Sequence, residues 1–159
     1  MKPVEIRAPR SEDMRPLAQL KIEWAGVDPR PTAAAEWKYA DDLASWMDRM
    51  GDRVLCRVAF VGDDLVGMSW LVVYDRVPDF EERKRKAGDV QSTYVVPRKR
   101  GHGIGTALVR SLCEEADRRG VPRLTVASSE AAVPVYEGAG FRPAATLLDR
   151  RLPPPPQEP

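Results

Sequence analysis

Apolar residues at Met14, Leu17, Leu20 and Trp24 recur at intervals of three and four, the spacing of one buried helical face. Ser11, Glu12 and Asp13 stand just before them, so the sequence predicts a helix opened by an N-cap serine with acids in its first turn. Gly26 and the DPRP run at 28–31 stop it, and VEIR at 4–7 reads as a short strand ahead of it. Trp37, Leu43, Trp46 and Met50 lie within a second helical segment, 33–50, which Gly51-Asp52 closes.

The period then changes. Residues 54–61 and 65–74 are β-branched and aromatic-rich, and Gly62-Asp63-Asp64 between them is turn chemistry, so a hairpin is expected. Residues 75–88 are polar and read as an exposed loop, and 89–96 alternates up to Pro97, which favours a strand ending there. A glycine-rich loop leads into a helix over about 104–119. A strand over 123–127 follows, then a short helix ending near Gly138 or Gly140, and a last strand over 141–149. RLPPPPQEP at 151–159 is a polyproline tail without core residues, leaving 1–150 as one domain. Strands and helices in this mixed order predict an α/β domain around one sheet.

Composition narrows the class. With 43% hydrophobic and 31% charged residues among 159, the chain is globular. No apolar run approaches the roughly 20 residues of a membrane span, and MKPVEIRAPRSED lacks the apolar middle of a signal peptide, so no membrane partner is expected. Cys56 and Cys113 form no CxxC pair, which fits a reducing cytoplasm, and with one histidine a metal site is not expected. The net charge of +1 conceals an asymmetry: residues 1–82 hold 11 Lys/Arg against 16 Asp/Glu, whereas 83–123 hold 11 against 4. The basic middle points to an anionic ligand there, and the acidic front half to a cationic one.

Candidate chemistry concentrates in Val95-Val96-Pro97-Arg98-Lys99-Arg100-Gly101-His102-Gly103-Ile104-Gly105-Thr106. Glycine tolerates positive φ, so successive N–H groups can line one concavity, and a helix N-terminus behind them adds free donors and the positive end of the dipole. That is a phosphate or pyrophosphate site. A GxGxxG fingerprint would need glycine where Thr106 stands, and Gly105-Thr106-Ala107 does not close a Walker A loop. The pattern present is R-x-x-G-x-G, at Arg100, Gly103 and Gly105. It resembles the acyl-CoA pyrophosphate loop of the GNAT superfamily of N-acetyltransferases. Tyr94-Val95-Val96-Pro97 upstream and Leu124-Thr125-Val126, Tyr136-Glu137 and Gly140-Phe141 downstream resemble the same family's flanking motifs. The likeness is clear over 89–143 and weaker over 4–74, where it concerns the order of elements.

The resemblance implies a GNAT-like single domain: a central mixed, mostly antiparallel sheet flanked by helices, with strands four and five (89–96 and 123–127) splayed around acyl-CoA. It implies that Thr93, Tyr94 and Val95 pair with the pantetheine arm, the Val95 N–H serving the thioester oxygen. Arg100, Gly101, His102, Gly103, Ile104, Gly105 and Thr106 would hold the pyrophosphate, and Arg98 and Lys99 its charge. Tyr136 matches the tyrosine that protonates the departing thiolate. Ser129 stands where relatives carry asparagine, a departure that weakens that contact. Asp89 stands where relatives place a carboxylate base, with Gln91 on the same strand face. Direct acetyl transfer from acetyl-CoA to a primary amine is the implied reaction, with a homodimer possible as in other members.

The acceptor, a small molecule or a peptide, is expected to meet the front half. Trp24, Trp37, Trp46 and Trp70 interleave there with acids such as Glu36 and Asp42, a combination suited to a cationic amine. Two other readings compete. A nucleic-acid module built on 83–86 and 98–100 would need stacking aromatics, and Tyr94 is the sole aromatic in 83–123. An acyl-CoA-binding sensor without turnover keeps the fold and drops the chemistry.

Overall fold

Alternation along the segment 66–73 sends Met68 and Trp70 to one side and Leu71 and Val73 to the other, and all four are buried. A strand apolar on both faces needs cover on both. The computed structural model, which describes residues 2–153, supplies it. Five strands, β1 (Val4–Arg7), β2 (Val54–Val61), β3 (Asp64–Arg76), β4 (Arg85–Val95) and β5 (Leu124–Val126), form one sheet in the order β1-β2-β3-β4-β5. The first four are antiparallel to their neighbours, and β5 joins β4 in parallel. Helices α1 (Met14–Ala25) and α2 (Ala33–Met50) pack Leu17, Leu20 and Leu43 against Met68 and Trp70. On the opposite face α3 (Ile104–Arg118) and α4 (Val133–Glu137) bring Val109, Leu112 and Tyr136 onto Leu71, Val73 and Val90.

Three expectations are corrected. The polar stretch 75–88 is not one loop: β3 and β4 continue as a ribbon through Asp75↔Lys86 and Arg76↔Arg85, leaving 77–84 as the connection. Both faces of the ribbon's end meet solvent, so its residues are polar although they are paired. Residues 141–149 form no strand. β5 offers an edge of three residues, and Pro143 has no N–H to donate to it. Ser11 is not the N-cap of α1 but begins a 3₁₀ turn, 11–13, that leads into the helix. Residues 151–153 have no regular structure, and the rest of the proline-rich tail lies outside the described residues.

The residue that fixes this N-terminal corner is Asp13. Its buried carboxylate accepts the Arg10 N–H at 2.7 Å and the two terminal guanidinium nitrogens of Arg7. The Arg7 hydrogen bond, outweighing burial, holds the Asp13 carboxyl below its ordinary range. Such a group stabilises the fold fully above its unfolded pKa of about 4, and the contribution disappears as pH falls through the lower folded value. Asp13→Asn is therefore expected to cost about 2–4 kcal/mol at neutral pH by leaving the Arg7 guanidinium with only the exposed Glu5 carboxylate as counter-charge. In thermal unfolding, the gap between variant and parent should narrow below pH 4; a gap independent of pH would refute the ion-pair account.

Candidate active site

β4 is eleven residues long and β5 is three, so their pairing ends after Val90↔Val126. Beyond that point the edge of β4 is open toward β5. The Val96 N–H donates to the Val66 carbonyl at 2.9 Å, and alternation then turns the N–H and carbonyl of Val95 away from β3, into the gap. Arg100 Nε takes the Val95 carbonyl at 2.9 Å, while its guanidinium lies 5.4 Å from the Tyr94 ring. The Val95 N–H is thus the donor left facing the gap.

The chain leaves β4 through a 3₁₀ turn at Pro97–Lys99 and enters α3 through Gly103, which occupies the N-cap with φ +75°. Gly101 has φ +76°. A side chain in that region is strained, and glycine there lets the turn present backbone instead. The first N–H groups of α3, at Ile104, Gly105 and Thr106, have no helical acceptor and carry the positive end of the dipole. Gly105 serves packing: a Cβ there would meet Val135 at 3.3 Å, so the glycine admits α4. Arg110 locks α4 from the outside by donating twice to the Gly138 carbonyl, at 2.7 and 3.0 Å. Tyr136, buried and packed edge-on to Phe141 at 5.7 Å, is thereby held on the wall opposite β4.

These elements enclose an open cleft of about 610 Å³. Thr93, Tyr94, Val95, Arg100, Gly101, Gly103, Ile104, Gly105, Thr106, Ser129 and Tyr136 all line it, as does Lys99. Two expected site residues do not. The His102 ring is exposed and turned back onto the Arg100 carbonyl at 2.8 Å. Asp89 projects to the face of the sheet that carries α1 and α2, opposite Val72, and accepts Gln91 Nε2 at 3.0 Å. Arg98 faces a different groove beside Glu23. The far wall, Ala131–Val135, carries no polar signature and was not foreseen from sequence.

A second cavity, about 300 Å³, lies on the α1/α2 face and was also unforeseen. Lys21, Tyr39, Trp46, Trp70, Gln91 and Ser92 help to line it. Its Ser92 and the cleft's Thr93 are consecutive, at an irregularity in β4. Opposite Met68–Trp70 the register shifts, and Ser92 takes φ +50°, the one non-glycine positive φ among the described residues. Ser92 Oγ accepts Lys21 Nζ at 2.9 Å on the helical side, whereas Thr93 hydrogen-bonds Ser69 at 2.6 Å. Consecutive residues of one strand therefore serve two cavities. Burial lowers the Lys21 ammonium pKa, and burial and the Glu23 carboxylate raise that of Tyr94, whose hydroxyl donates to Glu23 at 2.8 Å.

Comparison with known proteins agrees with this geometry. The model of the acetyltransferase (GNAT) family matches residues 19–141, and the chain belongs to that family. A glucosamine 6-phosphate N-acetyltransferase from Trypanosoma brucei brucei is 36% identical over 78 residues, 49% of this chain and 51% of that protein, so the match spans about half the relative's length. An acetyltransferase structure from Trypanosoma brucei superposes with a TM-score of 0.71 at 26% identity, covering 94% of this chain and 100% of the other. Glucosamine-6-phosphate N-acetyltransferase from Arabidopsis thaliana shares the fold at a TM-score of 0.77 and 17% identity, covering 96% and 100%. A predicted acetyltransferase with acetyl-CoA from Clostridium acetobutylicum does so at 0.72 and 18%, covering 94% and 96%. No helix of the described residues is long and apolar enough to cross a membrane.

If the glycine turn and α3 N-terminus form the anion cradle, Gly103→Asp places strain and a negative charge in it. Calorimetric titration with coenzyme A should show a Kd at least tenfold weaker, with the far-ultraviolet circular dichroism retained. An unchanged Kd would remove the turn from the site.

Proposed function

We propose that this chain transfers an acetyl group from acetyl-CoA to the primary amine of a small acceptor by direct attack in a ternary complex. The observation that carries the reading is the open edge of β4 running straight into the glycine turn at the head of α3. Pantetheine amides can pair with that edge as a missing strand would, while the turn and Lys99 and Arg100 take the pyrophosphate.

The chemistry divides between the two faces. The acceptor amine arrives from the α1/α2 face, and the proton that it must lose to become nucleophilic passes by way of water to Asp89 on that face. Its nitrogen bonds to the thioester carbon, and the oxygen gains charge beside the Val95 N–H. The C–S bond then breaks, and the Tyr136 hydroxyl on the far wall supplies the proton with which coenzyme A leaves as thiol. The products are an amide and free coenzyme A, and no covalent enzyme intermediate is formed.

Acetyl-CoA should bind one-to-one in calorimetry, while NAD gives no heat; no binding of acetyl-CoA would end the proposal. Tyr136→Phe should lower kcat roughly 10²-fold with little change in acetyl-CoA affinity, as expected of an acid used after binding. Glucosamine 6-phosphate, the acceptor in the name of two relatives, belongs in the first acceptor panel. If coenzyme A binds but no member of a broad amine panel is acetylated, the chain is an acyl-CoA sensor.

A further inference from the structure

The cavity on the α1/α2 face holds a charge that the proposed reaction does not use. Lys21 Nζ lies 4.8 Å from the Trp24 ring and 5.6 Å from the Trp70 ring, in a half-buried position. Its hydrogen-bond partner is the neutral Ser92 hydroxyl, and it forms no ion pair among the described residues. An ammonium has three donors, so two are left to meet the cavity or solvent. Carboxylates of the same helices and sheet face have other partners: Glu23 the Tyr94 hydroxyl, Asp42 at the cavity wall Lys38 at 2.8 Å, Glu36 Gln19 and Arg30, and Asp89 the Gln91 amide at 3.0 Å.

Filling the space between two indoles does not need a charge, and an apolar side chain would do it without the cost of desolvating an ammonium. Cation–π contact recovers part of that cost, and one hydroxyl recovers a little more. What remains is a cation short of a counter-charge, in the wall of a cavity sized for an amino acid or a monosaccharide. Ser92 fixes Lys21 one residue from Thr93, which lines the cleft assigned to acetyl-CoA.

We propose that this aromatic cavity is the acceptor site and that Lys21 selects amines that also carry an acidic group, a carboxylate or a phosphate. The inference rests on the acetyl-transfer reading of the cleft and reverses the cationic acceptor expected from the acidic front half. The acid is held by Lys21, the apolar body packs on Trp46, Trp70 and Tyr39, and the amine lies toward Thr93 and the cleft. A polyamine brings a second cation to Lys21 and is disfavoured.

The test measures kcat/KM on matched pairs: glucosamine against glucosamine 6-phosphate, ethanolamine against phosphoethanolamine, and tyramine and tryptamine against tyrosine and tryptophan, with spermidine as the polycation. The parent protein should favour the acidic member of at least one pair by tenfold or more, and the favoured pairs tell phosphate from carboxylate. Lys21→Met should bring that ratio toward one, Lys21→Arg should retain part of it, and acetyl-CoA affinity reports that both variants are folded. Acetylation without preference for acidic members, or a preference that survives Lys21→Met, overturns the proposal while leaving acetyl transfer standing. Failure of acetyl-CoA to bind would instead sink the proposed reaction. The cavity is then decided by titrating the protein alone with the same acids, read by tryptophan fluorescence: a saturable change lost in Lys21→Met supports it, and no such change refutes it.

Discussion

Everything at the centre of this molecule depends on β5 being too short to accompany β4. Three residues pair in parallel, and then the longer strand continues with one edge bare in the middle of the fold. A bare edge is ordinarily a liability, because its N–H and carbonyl groups will take any strand that offers itself. Here access is restricted by the walls of the cleft: α4 stands across from β4, held to α3 by Arg110, and Arg100 already occupies the Val95 carbonyl. What remains accessible is a short row of backbone groups that a slender amide-bearing chain can reach and a protein strand cannot.

The same strand is irregular where Ser92 lines one cavity and Thr93 the other. Holding Ser92 at positive φ costs about 1–2 kcal/mol. Two hydrogen bonds, Lys21 to Ser92 and Ser69 with Thr93, are each worth about 1 kcal/mol and offset that cost from opposite faces. The bulge is therefore anchored both to α1 and to β3, so a change in either anchor reaches the point where the two substrates of the proposed reaction would meet. On the proposed reading, that coupling joins Lys21, a side chain outside the cleft, to the same functional unit.

Sequence disclosed the cleft better than it disclosed the cavity, for a physical reason. Backbone-built sites leave marks: glycines at fixed offsets, a proline that ends a strand and a helix start lie together in the chain, and the residues from Thr93 to Thr106 were legible as a unit. Helix bounds were legible too, because α2 announces both ends with Thr32 and Gly51. The cavity on the α1/α2 face draws Lys21, Tyr39, Trp70 and Ser92 from four separate elements, and no spacing connects them. The bulge left no glycine to mark it. Polarity misled where paired strands leave the core, at 75–76 and 85–86, and the strand expected at 141–149 met no edge able to receive it.

Regional charge is a coarser guide than position. The front half carries an excess of acids, yet Asp13 is consumed by Arg7, Glu36 by Gln19 and Arg30, Asp42 by Lys38, and Glu23 by Tyr94. A counted excess says nothing about which charge faces a cavity. Between exposed groups the interaction is screened beyond about 8 Å at physiological salt, so distant carboxylates contribute little to a bound molecule. A half-buried ammonium about 4 Å from a bound anion acts through an effective dielectric near 20, worth on the order of 4 kcal/mol before desolvation is charged against it. One lysine without an ion pair among the described residues, in a partly dry wall, is therefore the charge on which the proposed preference for acidic amines rests.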